Sequence, residues 1–99
     1  MPTGSKKKPG PLSAELGDTL RAEMARERIS IKALADAVGM SAPQVSGVLN
    51  AKKHVDVEQL DAICWALGLD TLKVFSDVDA ATVDRHIRPE WTVTLLVQR

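Results

Sequence analysis

Residues 30–51 read SIKALADAVGMSAPQVSGVLNA, two short amphipathic segments on either side of a tight turn. Leu34, Ala35 and Val38 recur at helical spacing in the first segment, and Val45, Val48 and Leu49 in the second. Between them Gly39 tolerates left-handed backbone, Met40 offers a buried side chain, and Ser41 is placed to cap the next helix. Ser41 and Gln44 make an S-x-x-Q capping box, which fixes where that helix begins. Ala35 is small where the two helices must cross. The stretch predicts a helix-turn-helix.

Over about Leu20 to Phe75 the chain resembles the Cro/repressor (lambda-repressor-like, XRE) family of DNA-binding domains. Leu34-Ala35, Gly39, Ser41, Val45, Val48, Asn50 and Ala66-Leu67-Gly68-Leu69 carry the resemblance. It implies a mainly α fold, a compact five-helix domain over residues 12–76, with residues 77–99 as a C-terminal extension. It also implies a cytoplasmic, sequence-specific transcriptional regulator, a phage-type repressor or Cro-like protein. Such a protein would occupy operator double-stranded DNA as a homodimer, with the helix from Ala42 to Asn50 in the major groove.

On that reading Ala42, Pro43, Gln44, Ser46 and Gly47 face the bases. Gln44 alone among them can make a bidentate contact to adenine; Ala42 and Pro43 offer apolar contact, and Gly47 brings backbone close but reads nothing itself. Phosphates fall to Ser30, Ile31 (through its backbone) and Lys32 at the start of the preceding helix, where free N–H groups and the helix dipole favour an anion. Ser41, Asn50 and the basic run Lys52-Lys53-His54 complete the set. A face so poor in long polar side chains implies modest direct readout, with shape and phosphate contacts contributing more.

The chain departs from the family twice. The family commonly has Gln where Ile31 stands, so one phosphate anchor is missing. It also often pairs an Arg late in the first helix with the Glu of an E-N-G sequence; here those positions hold Met24 and Leu49, in L-N-A. Exchanging both ionic partners for hydrophobes of similar size is tolerable, whereas losing one leaves a buried charge. A repacked core is expected.

Net charge is zero, yet residues 1–54 carry nine Lys/Arg against five Asp/Glu, and residues 55–99 four against eight. That asymmetry is compatible with one DNA-facing end and with an ordinary lopsided surface. The single cysteine, Cys64, permits no internal disulfide and suits a reducing compartment. The N-terminus MPTGSKKKPGP has no apolar segment behind its lysines, unlike a secretory signal, and no apolar run approaches the roughly 20 residues of a membrane span. Residues 1–11 read as a disordered basic arm in which Lys6, Lys7 and Lys8 either follow DNA phosphates or merely solubilise.

The first helix is expected over Ser13 to Arg28 on the line Leu16, Leu20, Met24, with Gly17 pushing its true start towards Asp18. Arg21, Arg26 and Arg28 sit among Glu23 and Glu27 as a self-paired face. Asp56 and Gln59 cap a helix over Val57 to Leu67 that buries Leu60, Ile63, Cys64 and Leu67 and stops at Gly68. A short helix from Thr71 to Phe75 would close the core with Leu72 and Phe75.

Beyond residue 77, Ala80 to Ile87 reads as a helix capped by Asp79 or as a weaker strand through Val83, Arg85 and Ile87. Arg88-Pro89-Glu90 reads as a turn. Trp91 to Val97 alternates Trp91, Val93, Leu95 and Val97 against Thr92, Thr94 and Leu96, which predicts a strand. Lacking a mate in its own chain, that strand would pair with another molecule. Together with Trp65, which falls off its helix's buried stripe, Trp91, Val93, Leu95 and Val97 form the expected dimer interface. The abrupt end at WTVTLLVQR also suits a piece of a longer repressor.

Two other functions stay open. As the DNA-binding antitoxin of a toxin–antitoxin pair, the protein would use Trp65 and the C-terminal segment to hold a toxin protein. As a helix-turn-helix used only for protein contacts, it would bind no DNA. Enzymatic chemistry is not expected: His54 and His86 are far apart in sequence, and no phosphate loop or metal-ligand spacing is present. No cofactor is implied.

Overall fold

The computed structural model describes residues 8–87 and 90–97. Among them the chain forms six α-helices, a 3-10 turn and no strand. The helices are α1 (Pro11–Glu27), α2 (Ile31–Val38), α3 (Ala42–Leu49), α4 (Val57–Ala66), α5 (Thr71–Ala81) and α6 (Glu90–Val97), with the turn at Val83–His86.

α1 opens on Pro11, whose fixed φ suits a first helical position and whose missing N–H would have no partner there. It starts two residues before the expected Ser13 and runs unbroken through Gly17, so its start is not pushed towards Asp18. Gly17 does not mark an end, because it lies where α1 crosses α3: a Cβ there would stand 2.3 Å from the carbonyl oxygen of Leu49. The glycine serves tertiary packing at the expense of local helix propensity. On the same side of α1, Leu16, Leu20 and Met24 are buried as their i, i+4, i+8 spacing requires.

The core joins these to Leu34 and Ala35 of α2, Val45 and Leu49 of α3, Leu60, Ile63 and Cys64 of α4, Leu67, and Val74 and Val78 of α5. Met24 and Leu49, where the resemblance led one to expect an ionic pair, are both buried in this one cluster. Burial raises the Cys64 thiol pKa, so it stays protonated and acts as a small core hydrophobe.

Two expectations about the core's closing helix are corrected. α5 does not stop at Phe75 but continues to Ala81, so its inward line is Val74 and Val78, one turn apart. Leu72 faces solvent, 80% exposed, and Phe75 is only partly buried against the cluster. Asp79 lies inside α5 instead of capping a new helix, and residues 83–86 are neither α-helix nor strand but a 3-10 turn. That turn is tied back on α5. The buried Thr82 hydroxyl donates to the Val78 carbonyl at 2.8 Å, and Arg85 donates to Thr82 Oγ1 at 2.8 Å and to Asp79 Oδ1 at 2.7 Å.

The C-terminal strand is also overturned: Trp91–Val97 lies within α6. Its two-residue alternation ends in three consecutive apolar residues, Leu95-Leu96-Val97, which fit either period. With no second strand among the described residues to share a ladder, only a helix satisfies the segment's backbone N–H and C=O groups locally. The five-helix architecture with a strand becomes six helices among the described residues. None of the α6 side chains joins the core cluster.

Candidate nucleic-acid interface

The turn between α2 and α3 is built as its residues dictate. Gly39 takes φ +71° and closes α2, and the Met40 N–H donates back to the Ala35 carbonyl at 3.1 Å. Ser41 then caps α3: its Oγ accepts from the Gln44 N–H at 3.2 Å while Gln44 Oε1 accepts from the Ser41 N–H at 3.4 Å. Val45, Val48 and Leu49 face inward, and Ala42, Pro43 and Gln44 are exposed. Ser46 and Gly47 are half-buried.

Ahead of α3, Ser30 Oγ accepts from the Ala33 N–H at 3.0 Å and so caps α2. Ile31 spends its side chain on the core cluster, which leaves only backbone for an anion. Lys32 is exposed, and its Nζ lies 3.2 Å from Asp36 Oδ2 one turn on. Surface pairs of this kind are weak, so Lys32 can exchange partners.

The end of α3 is tied more closely than its composition suggests. Asn50 Nδ2 donates to the Ser46 carbonyl at 2.9 Å and to Ser46 Oγ at 3.3 Å. Its Oδ1 accepts from Arg21 Nη1 at 3.2 Å. Arg21 is the residue that sequence reasoning left out of the site. It does pair within α1, with Asp18, but it also reaches across to α3. The available signal was Gly17: Arg21 stands one turn further along the same face, so the residue after Leu49 comes within its reach.

Beyond Asn50 the chain turns sharply. Ala51 adopts φ +54°, and the Lys52 and Lys53 N–H groups both donate to the Gly47 carbonyl, at 2.8 and 3.0 Å. Lys52, Lys53 and His54 are exposed beside α3. Lys8, at the root of the N-terminal arm, lines a shallow cleft with Pro9, Asn50, Ala51 and Lys52. Lys6 and Lys7 lie outside the described residues.

The structure thus brings Ser41, Ala42, Pro43, Gln44, Ser46, Gly47, Asn50, Lys52, Lys53 and Lys8 together around α3, with Arg21 added. The expected dimer residues lie on two other helices. Trp65 is 79% exposed on α4, while Trp91, Val93, Leu95 and Val97 are exposed on α6. Val83, Ile87 and Leu96 are exposed as well, so large apolar side chains crowd the C-terminal fifteen described positions. No described helix is long and apolar enough to cross a membrane.

Residues 15–74 match a family model described as a helix-turn-helix domain. No curated protein sequence matches the chain. Among solved structures, the crystal structure of the clp gene regulator ClgR from C. glutamicum is similar, with a TM-score of 0.65 and 28% sequence identity. That similarity covers 72% of this chain and 92% of the ClgR chain.

Proposed function

The chain belongs to the helix-turn-helix domain family, as the Cro/repressor resemblance of its residues implied, and from that premise we propose that it is a DNA-binding transcriptional regulator. The observation that carries this reading is the exposed, doubly capped α3 followed at once by the cationic Lys52-Lys53 corner, with Lys8 and Arg21 on the flank. α3 enters the major groove, and the first turns of α2 and α3 present N–H groups to phosphates. Ser30, the Ile31 backbone, Lys32, Ser41, Lys52, His54 and the arm lysines supply backbone contacts. Similarity to the clp gene regulator ClgR supports the same class.

A single eight-residue helix offers few base contacts, so the finer reading is a homodimer acting as a repressor on a palindromic operator. α6 supplies the contact. An eight-residue helix carrying Trp91, Val93, Leu95, Leu96 and Val97 has too little polar surface to stand alone in water. A second copy brings an identical apolar surface, which suits an isologous two-fold interface.

Selection of bound duplexes from random DNA at about physiological salt tests both levels. A palindrome with half-sites about one turn apart supports the dimeric regulator. Single half-sites keep DNA binding but favour the antitoxin reading, in which α6 and Trp65 hold a toxin protein. No enrichment would sink the DNA reading and leave a protein-contact module.

A further inference from the structure

The polar side chains of the α3 face are largely committed within the protein. Gln44 Oε1 accepts from the Ser41 backbone, and both ends of the Asn50 amide are engaged, by Ser46 and by Arg21. Gln44, the residue singled out for adenine, must give up its half of the capping box before it can make a bidentate contact. One long side chain beside this face is differently placed. A Cβ on Gly47 would stand 2.7 Å from both Cγ and Cδ of Lys53, and 3.2 Å from its Cβ. The Lys53 stem therefore lies across the bare backbone of Gly47, and the hydrogen bond from its own N–H to the Gly47 carbonyl holds the start of that stem in place.

Gly47 follows Pro43 by four residues and Gln44 by three, so it lies on the same side of α3, half-buried where the Lys53 stem crosses it. No ion pair among the described residues engages the Lys53 ammonium. A lysine stem packed on apolar backbone with its ammonium outward can deliver the charge well beyond its own Cα. We propose that Lys53 reads a base edge through the berth that Gly47 provides, donating to guanine O6 and N7 in the major groove. Gly47 then contributes to specificity by having no side chain.

The inference rests on the DNA reading above, and the test separates the two. The wild-type protein's preferred duplex is found by selection, and affinities are measured for every single base-pair change in one half-site. The panel is repeated with Lys53→Met and with Gly47→Ala. The three atoms nearest a Gly47→Ala methyl all belong to the Lys53 side chain, which must swing aside, so the fold should survive, as circular dichroism would show. The expected result is a wild-type preference for guanine at one position, about tenfold or more, that both variants lose there and nowhere else. Uniform weakening by Lys53→Met on all duplexes, with a salt slope lower by about one, would make Lys53 a phosphate contact and overturn the inference. A wild-type protein that binds no duplex overturns the DNA reading, and this inference with it.

Discussion

Gly17 and Leu49 meet backbone to backbone: the position a Gly17 Cβ would take is 2.3 Å from the Leu49 carbonyl oxygen and 3.0 Å from its carbonyl carbon. Neither atom belongs to a flexible side chain, so the crossing of α1 and α3 admits no methyl group without moving a helix. Gly17→Ala gains about 1 kcal/mol of helix propensity but overpacks a rigid contact at a cost of about 1–3 kcal/mol or more. A net loss of stability, seen as a lower urea midpoint with unchanged slope, is expected. A higher midpoint would mean the crossing is looser than described.

Ala51 holds φ +54° at the corner leading to the lysines, where L-residues are disfavoured and glycine is at ease. Ala51→Gly relieves that strain but adds backbone freedom to the unfolded chain. The balance should favour the variant by about 0.5–1 kcal/mol, measured as a raised melting temperature. An unchanged or lower value would show that the corner is not strained.

Arg21 and Asn50 join α1 to the end of α3 through a bond exposed to water. A double-mutant cycle with Arg21→Ala and Asn50→Ala should return a coupling of about 0.2–1 kcal/mol. Additive losses would show that the two side chains act separately, Asn50 only as the α3 cap.

Asp79 accepts hydrogen bonds from His86 and from Arg85, and these hold its carboxyl below the usual carboxylate range. Its folded pKa is lower than its unfolded one, so its contribution is complete above the ordinary carboxylate pKa and fades as pH falls through the depressed value. Amide protection at Arg85 and Ile87 should therefore weaken at acid pH relative to an Asp79→Asn variant at the same pH, whose clasp has no carboxylate to titrate. Parallel behaviour of the two proteins at every pH would remove Asp79 from the clasp.

Paired substitution of Val93 and Leu96 by Glu puts charge on the apolar α6 and should convert sedimenting dimers to monomers, with the helical core unchanged. A variant that still sediments as a dimer would move the interface elsewhere.

The helix-turn-helix was legible because its signals are local. Gly39, Ser41, Gln44, Asp56 and Gln59 announce their caps to near neighbours, and the stripes of α1 and α4 follow one helical period. What the sequence concealed depends on distant partners. Gly17 looks like a helix weakener until Leu49 is beside it, and Arg21 looks self-paired until Asn50 comes within reach. Trp91–Val97 misled because a short apolar run satisfies a period of two nearly as well as a helix, and only the lack of a strand partner among the described residues decides between them. Which α3 residues face outward at its start was readable from the helical period; the berth of Lys53 on Gly47 was not, since it depends on the path of the corner at Ala51.

Methylation interference on the selected duplex tests most directly the proposal that α3 lies in the major groove. Methyl groups on guanine N7 line the major groove, and those on adenine N3 the minor groove. Guanine N7 methylation within the half-sites should block binding, in two clusters about one helical turn apart. Interference confined to adenine N3, or none at either groove, would contradict it.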